Sequence, residues 1–352
     1  MKVIPHNRPL ITAEDRAAVD AVLSSGWVAQ GPQVAAMEAG FVHRYGAGAA
    51  CAVSSGTAAL FLALKALGIE AGAKVAVPTY ACSALLNAIY MAGAKPSIVD
   101  VLPDSFCLNP AALARQAADA ACVIAVHTYG SPADIEALQQ PGRKLIEDCC
   151  QSLGGEGEQG QLGAAGDAAV FSFYATKIVT GGQGGLVWSK NAAVEEAVRD
   201  YRQFDCREGY VPRFNMQMTD VQAALINSQM TRLDAIRARR LAIAQTYLDA
   251  LPVGLSVQSG LANTRRMAYR FVVLTPDLAT REALFQRMQQ AGVGCAVPIE
   301  RYELLHRYLK LDPADFPVAE RLADTTLSLP IHPGLTDAQL AQVATVLAGF
   351  RP

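Results

Sequence analysis

Short apolar runs alternate with helical patterns along the first 190 residues, and this alternation constrains the fold more than any other feature. Residues 74–78, 96–100, 122–127, 144–148, 168–173 and 185–188 read as strands. Helical patterns fit 13–24, 33–45, 56–67 and 82–92, and Thr12 with Asp15 three residues on supplies a start signal for the first. Strands that are apolar throughout need cover on both faces. Helices between them provide it, so the pattern predicts an α/β chain with a mostly parallel sheet flanked by helices. A long helical stretch from Thr219 to Leu251 follows. The remainder reads as a smaller α+β unit, with strands at 268–274 and 293–297 and helices at 280–291, 317–323 and 336–349. The expected division is a large domain over 1–235 and a smaller C-terminal domain over 236–352.

Composition removes several classes of function. Thirty Lys and Arg against 32 Asp and Glu leave a net charge of −2, with no basic stripe for nucleic acid. The N-terminal Met1-Lys2-Val3-Ile4-Pro5-His6 has no apolar core of a signal peptide. No run of about 18 apolar residues spans a membrane, and the richest, 58–67, contains Lys65. Eight cysteines form no CxxC pair and sit mostly in apolar segments, so buried free thiols in a reducing cytoplasm are expected, and no metal site. Gly155-Glu156-Gly157-Glu158-Gln159-Gly160 satisfies GxGxxG. It opens no helix, and two glutamates would repel a pyrophosphate, so a hairpin turn is expected there.

Ligands of open α/β sheets bind at the carboxyl ends of the strands. Asp148, His127 and Ser172 each end a predicted strand, and Lys177 follows Ser172 by five residues. Ser54-Ser55-Gly56-Thr57 precedes a helix, whose first amides suit an anion. Each feature alone has an ordinary structural explanation; together they match the needs of pyridoxal phosphate. That cofactor takes a lysine, a carboxylate facing its ring nitrogen and a phosphate cup. A lysine between an apolar strand and Gly181-Gly182-Gln183-Gly184-Gly185 is expected to be desolvated, with a lowered pKa.

The same residues carry a resemblance. Gly26-Trp27-Val28-Ala29-Gln30-Gly31-Pro32, Glu38, Ser54 to Leu60, Val126-His127-Thr128-Tyr129-Gly130 and Glu147-Asp148-Cys149-Cys150-Gln151-Ser152 resemble segments of the DegT/DnrJ/EryC1/StrS aminotransferases. So do Gly166-Asp167-Ala168-Ala169-Val170-Phe171-Ser172-Phe173-Tyr174-Ala175-Thr176-Lys177 and Leu327 to Thr336. The resemblance implies fold type I of the pyridoxal-phosphate enzymes. Position by position, it makes Lys177 the Schiff-base lysine, Asp148 the partner of the pyridine nitrogen and Gln151 the neighbour of the ring hydroxyl. Gly56, Thr57 and Ser172 become the phosphate cup, and His127 a catalytic strand-end histidine beside the cofactor. Asn215 matches an asparagine that reaches the phosphate from a neighbouring subunit, which implies a homodimer with a shared site.

Three positions depart from the family pattern. Cys82 stands where an aromatic side chain often covers the ring, with Tyr80 two residues earlier. Gln217 stands for a frequent arginine, and Gln183 for an acidic residue. Lys177 separates the chain from the dehydratase branch, where histidine replaces the lysine. The implied activity moves an amino group from an amino acid, L-glutamate by resemblance, to a keto-sugar that is nucleotide-linked, with pyridoxamine phosphate as intermediate. The loop 205–218 and the segment around Arg301, Tyr302 and His306 are candidate walls of the substrate cleft. Two alternatives remain at this level: elimination on a sugar with the same cofactor, and a non-catalytic binding protein on the same fold.

Overall fold

Thr12 and Asp15 open the first helix, Ala13–Ser25, by capping each other's backbone amides, which satisfies two donors that a helix start leaves over. The computed structural model describes residues 3–158, 160–261, 263 and 265–352. Its strands are β1 (Ala49–Val53), β2 (Lys74–Pro78), β3 (Lys95–Val99), β4 (Cys122–Val126), β5 (Lys144–Asp148), β6 (Glu156–Gly157), β7 (Gly160–Gln161), β8 (Ala168–Ser172), β9 (Gly185–Ser189), β10 (Ser256–Val257), β11 (Phe271–Leu274) and β12 (Thr326–Leu329).

Seven of these form one sheet in the order β1-β9-β8-β5-β4-β2-β3. From β8 to β3 every pair is parallel, as the alternation predicts. β9 runs against both β8 and β1. β1 therefore points the same way as the parallel strands, and β1, β4, β5 and β8 all finish at one edge of the sheet. Residues 58–64 of the helix Gly56–Ala66 are all buried, because that helix lies between β8 and β9 on one side and the helices Ala84–Met91 and Ala192–Arg202 on the other. The apolar run that is too short for a membrane is thus a core helix.

The alternation does not predict β1. Its Ala49-Ala50-Cys51-Ala52-Val53 string has a single β-branched residue and reads equally as helix. Tertiary contacts make it an edge strand. Glu38 Oε1 accepts the Ala52 amide at 2.9 Å, and Arg202 donates to both the Ala52 carbonyl and Glu38. Side chains thereby cover backbone groups that a sheet edge would leave open.

The expected helix over 219–251 is two helices, Asp220–Met230 and Leu233–Asp249. The chain leaves helical geometry at Arg232 (φ −112°, ψ 12°), whose guanidinium meets the buried Asp15 at 2.8 Å. The division expected at 235 falls inside the second helix. β10, β11 and β12 form an antiparallel sheet covered by Leu233–Asp249, Leu278–Gln290 and Asp337–Ala348 around Phe271, Val273, Leu327 and Leu329. The expected strand at 293–297 is reduced to two isolated bridges: Val293 pairs with Ile4, and Ala296 with Ser328. Two different partners prevent a ladder. β6 and β7 pair as the hairpin expected around the glycine-rich decoy; Gln159 of that motif lies outside the described residues.

The C-terminal part docks on the loop after β2. Thr79 Oγ1 lies 2.7 Å from His306 Nδ1, and Tyr80 Oη lies 3.0 Å from Thr326 Oγ1. Among the described residues no helix is long and apolar enough to cross a membrane.

Candidate active site

The edge where β1, β4, β5 and β8 end gathers most of the expected site residues. Asp148 is the last residue of β5 and is buried; its Oδ1 accepts the Cys150 amide at 2.9 Å, which fixes the carboxylate. Ser172 is the last residue of β8. Gly185 of β9 pairs with Ser172 on one side and Val53 of β1 on the other. A Cβ on Gly185 would lie 2.9 Å from the Gly56 nitrogen, and a Cβ on Gly56 would lie 2.8 Å from the Ser172 Cβ. Two glycines therefore let the helix Gly56–Ala66 begin directly against Ser172. Ser55 Oγ accepts the Ala58 amide, so the amides of Gly56 and Thr57 remain as the exposed donors of the first turn. That turn, with the Ser172 hydroxyl beside it, is an anion cradle.

Lys177 follows in the loop after β8, half-buried, with Nζ 5.6 Å from the centre of the Tyr269 ring. The expected lowering of its pKa is not what the site produces. Burial pulls the pKa down, but the charges of Tyr269, Cys150, Asp148 and Cys82 pull it up further, and the net shift is upward. The same contact acts on Tyr269. Burial would raise the phenol, yet Lys177 and Arg270 outweigh it and hold it below its usual value. Burial and Asp148 push the Cys150 thiol well up.

Gln151 presents a defined edge. Its Oε1 accepts the Tyr129 amide at 2.8 Å, which leaves the amide N–H donors free to face a ligand hydroxyl. Tyr129 holds this arrangement in a left-handed conformation, φ 55°, a strain that such sites store. Cys82 is exposed and near enough to act on Lys177 and Cys150. Tyr80 is fully buried and bonded to Thr326, so it is not available to cover a ring in place of Cys82.

His127 faces elsewhere. The Ala133 amide donates to its Nδ1 at 3.0 Å, so the ring proton sits on Nε2, which donates to Glu147 at 2.9 Å. Glu147 and Asp148 are successive residues of β5 and leave opposite faces. His127 is on the Glu147 face, fully buried, with both nitrogens committed. Burial opposes the Glu147 charge, but His127 and the amides of Gly166 and Gly163 hold its carboxyl below the ordinary range. His127, Glu147 and Cys149 bring ligand-type atoms within 4.8 Å of one another. His127 and Glu147 spend their lone pairs and protons on each other and on the backbone, so this pair has the chemistry of a buried hydrogen-bond network.

Other expectations resolve unevenly. Asn215 is exposed. Arg301 pairs with Glu320 and Asp324, and Tyr302 is exposed. His306 is not a wall of a cleft: it is fully buried, bonded to Thr79 and Glu320 and stacked on Phe316 at 4.4 Å. Sequence reasoning missed Tyr269 and Arg270. Both fall in a stretch that reads as strand, and the only signal was a polar pair ahead of the apolar Phe271-Val272-Val273-Leu274.

The residues fit pyridoxal phosphate on the structure's own terms. The Gly56–Ser172 approach would be closed by a Cβ, Lys177 stands within charge range of Asp148, and Gln151 offers a donor between them in sequence. The DegT/DnrJ/EryC1/StrS aminotransferase family matches residues 9–348. Among solved structures, the aminotransferase TlmJ from Streptoalloteichus hindustanus is 28% identical, covering 98% of both chains with a TM-score of 0.89. DesV of S. venezuelae, solved in complex with a ketimine intermediate, is 29% identical, covering 99% of this chain and 98% of its own, with a TM-score of 0.90. A DegT DnrJ EryC1 StrS aminotransferase from Brucella abortus is 27% identical, covering 96% of this chain and 95% of its own, with a TM-score of 0.86. With a family match over nearly its whole length, the chain belongs to the DegT/DnrJ/EryC1/StrS aminotransferases and is a pyridoxal-phosphate-dependent aminotransferase.

Proposed function

We propose that this aminotransferase takes the amino group of L-glutamate and delivers it to a keto-sugar carried on a nucleotide. The observation that supports the reading is the grouping of Lys177, Asp148 and the Gly56–Ser172 cradle at one sheet edge. Bound pyridoxal phosphate supplies an electron sink for the carbon that loses its proton. The first-turn amides of Gly56 and Thr57, with the Ser172 hydroxyl, would hold the phosphate. Asp148, oriented by the Cys150 amide, would keep a proton on the ring nitrogen. Gln151 would donate to the ring hydroxyl, and Cys82 would stand in for the aromatic side chain that is usual beside the ring.

Lys177 has two tasks. Its Nζ would hold the cofactor, and when not so engaged it would take and carry the α-proton of the donor. His127 acts as a positioning residue: through Glu147 it fixes the 163–166 loop and the strand that carries Asp148. A second copy of the chain completes the site with Asn215. Exposed Asn215 lies on the same segment as exposed Phe204, Tyr210 and Val211, an apolar edge suited to a homodimer.

Absorbance of the reconstituted protein tests the reading. A band near that of a lysine-bound aldehyde should fade on adding L-glutamate, and Lys177→Ala should abolish both band and turnover. Mass analysis of a keto-sugar nucleotide product should show a new amine. A product that has lost oxygen instead would move the chain to elimination chemistry. A protein that never takes up the cofactor would be a binding protein.

A further inference from the structure

Arg270 and Lys177 both approach the Tyr269 ring, and Arg270 has no counter-charge. No Asp or Glu among the described residues forms an ion pair with it, whereas Arg199, Arg202, Arg213, Arg232 and Arg307 all have carboxylate partners. The buried Arg240 and Arg266 place Nη groups on backbone carbonyls. Arg270, half-buried, does neither. Its Nε is buried with no acceptor, as are those of Arg240 and Arg266, but its Nη1 makes only one long contact, 3.4 Å to Ser328 Oγ. A guanidinium with so few acceptors of its own keeps donors for an anionic ligand.

Its position is nonetheless fixed. The guanidinium carbon lies 5.5 Å from the Tyr129 ring centre and 5.8 Å from the Tyr269 ring centre. Arg240 donates to the Tyr269 carbonyl at 3.1 Å and anchors the backbone just before Arg270. Tyr269 is the ring that Lys177 also approaches. His6, Asn7, Tyr269, Arg270, Ser328 and Ile331 line one depression, and Asn7 Nδ2 bonds the Thr176 carbonyl next to Lys177 at 3.1 Å. Burial and the Arg270 charge push His6 down to about 4, so its ring is neutral at pH 7 and Arg270 supplies the positive charge there.

We propose that Arg270 binds the α-carboxylate of the amino donor. The inference rests on the reading of Lys177 as the transamination lysine. The donor's amine and carboxylate share one carbon, so a carboxylate must find its counter-charge close to where Lys177 works. A planar guanidinium set over two rings offers the bidentate fork that a carboxylate accepts. A keto-sugar has no charge at its reacting carbon, so the cation serves the donor half of the reaction. A carboxylate or phosphate of the acceptor is the rival source of the same chemistry.

Two donors and a non-reacting probe separate the outcomes, all with the pyridoxal-phosphate-loaded protein. Calorimetry with glutarate, which has carboxylates and no amine, should show binding that Arg270→Gln weakens by about 10- to 100-fold. In single turnovers followed by absorbance, the wild type should prefer L-glutamate over isoglutamine, whose α-carboxylate is an amide. Arg270→Gln should shrink that preference by a similar factor, and Arg270→Lys should fall between. Melting curves and the absorbance band report whether each variant is folded and loaded, and Arg270→Lys carries the test if the glutamine variant is not. An undiminished preference in a folded variant overturns the proposal. So does a rise in KM for the keto-sugar nucleotide with the donor unaffected, which would give the anion to the acceptor. A wild-type protein that responds to no amino acid would overturn the reading of Lys177 itself, a different result from either.

Discussion

Lys177 and Tyr269 titrate against each other: Nζ lies 5.6 Å from the ring centre, the lysine is shifted up and the phenol down. Burial is the largest single influence on each and works against both shifts; their mutual attraction outweighs it only together with the neighbouring charges. Tyr269→Phe keeps the ring and removes the phenol oxygen. With one raising influence gone, burial counts for more, and Lys177 should titrate at lower pH than in the wild type. The pH dependence of Lys177 modification by an amine reagent, read by peptide mapping of the cofactor-free protein, measures this directly. An unchanged midpoint would mean that Asp148 and the thiols, rather than Tyr269, set the lysine.

Gly56 is expected to tolerate no side chain. The Cβ of Gly56→Ala would come within 2.8 Å of the Ser172 Cβ and 3.1 Å of its Oγ, both on a strand that cannot retreat. Overpacking of this kind costs about 1–3 kcal/mol. It should appear chiefly as weaker cofactor binding, because the first turn moves off Ser172. Absorbance titration with pyridoxal phosphate should show roughly a tenfold or larger rise in Kd. Unaltered affinity would remove this turn from the phosphate site.

Glu147 holds four donors at once: His127 Nε2 and the amides of Gly163, Ala165 and Gly166, at 2.7 to 2.9 Å. Glu147→Gln turns one acceptor into a donor facing those N–H groups, at a cost of about 2–5 kcal/mol in urea unfolding. The folded carboxyl is held below its unfolded value. Its contribution is therefore present above the ordinary carboxylate range and lost as pH falls through the folded value. The wild type's advantage over the variant should shrink in acid. A variant as stable as the wild type at pH 7 would contradict a structural role for the network.

His6 predicts a second, opposite use of burial. It titrates at about 4 in the folded protein against 6.5 unfolded. Below pH 6.5 the unfolded chain binds a proton that the folded chain refuses, so stability falls between pH 6.5 and about 4 and levels off below. The loss is up to about 3 kcal/mol. His6→Gln should lack this slope, which parallel melting curves across the window would reveal. Equal slopes in the two proteins would show that His6 is solvated.

Much of this site was legible in the chain. Asp148, Ser172 and Lys177 were marked by their places at or just after strand ends, and Gly56 and Thr57 by a helix start. These signals are local: a strand's end and a helix's first turn are set within a few residues, and the chemistry each can offer follows. The same reasoning gave most strands of the large sheet, because a run buried on both faces is apolar throughout. It failed at β1, whose strand state depends on Glu38 and Arg202 from elsewhere in the chain, and at 219–251, where Asp15 meets Arg232 at the break.

The sequence by itself determined the α/β alternation and the class of cofactor, and it marked the residues proposed to hold it. Only the tertiary structure decided what those residues face. It turned His127 toward Glu147, buried His306 and Tyr80 in the core, and brought Tyr269, with Arg270 over its ring, from the C-terminal half to Lys177. The physical reason is range. Strand and helix preferences act over neighbouring residues, whereas the pKa of Lys177 and the unpaired charge of Arg270 depend on groups about 90 residues apart in sequence that meet only when the sheet is closed by its second half.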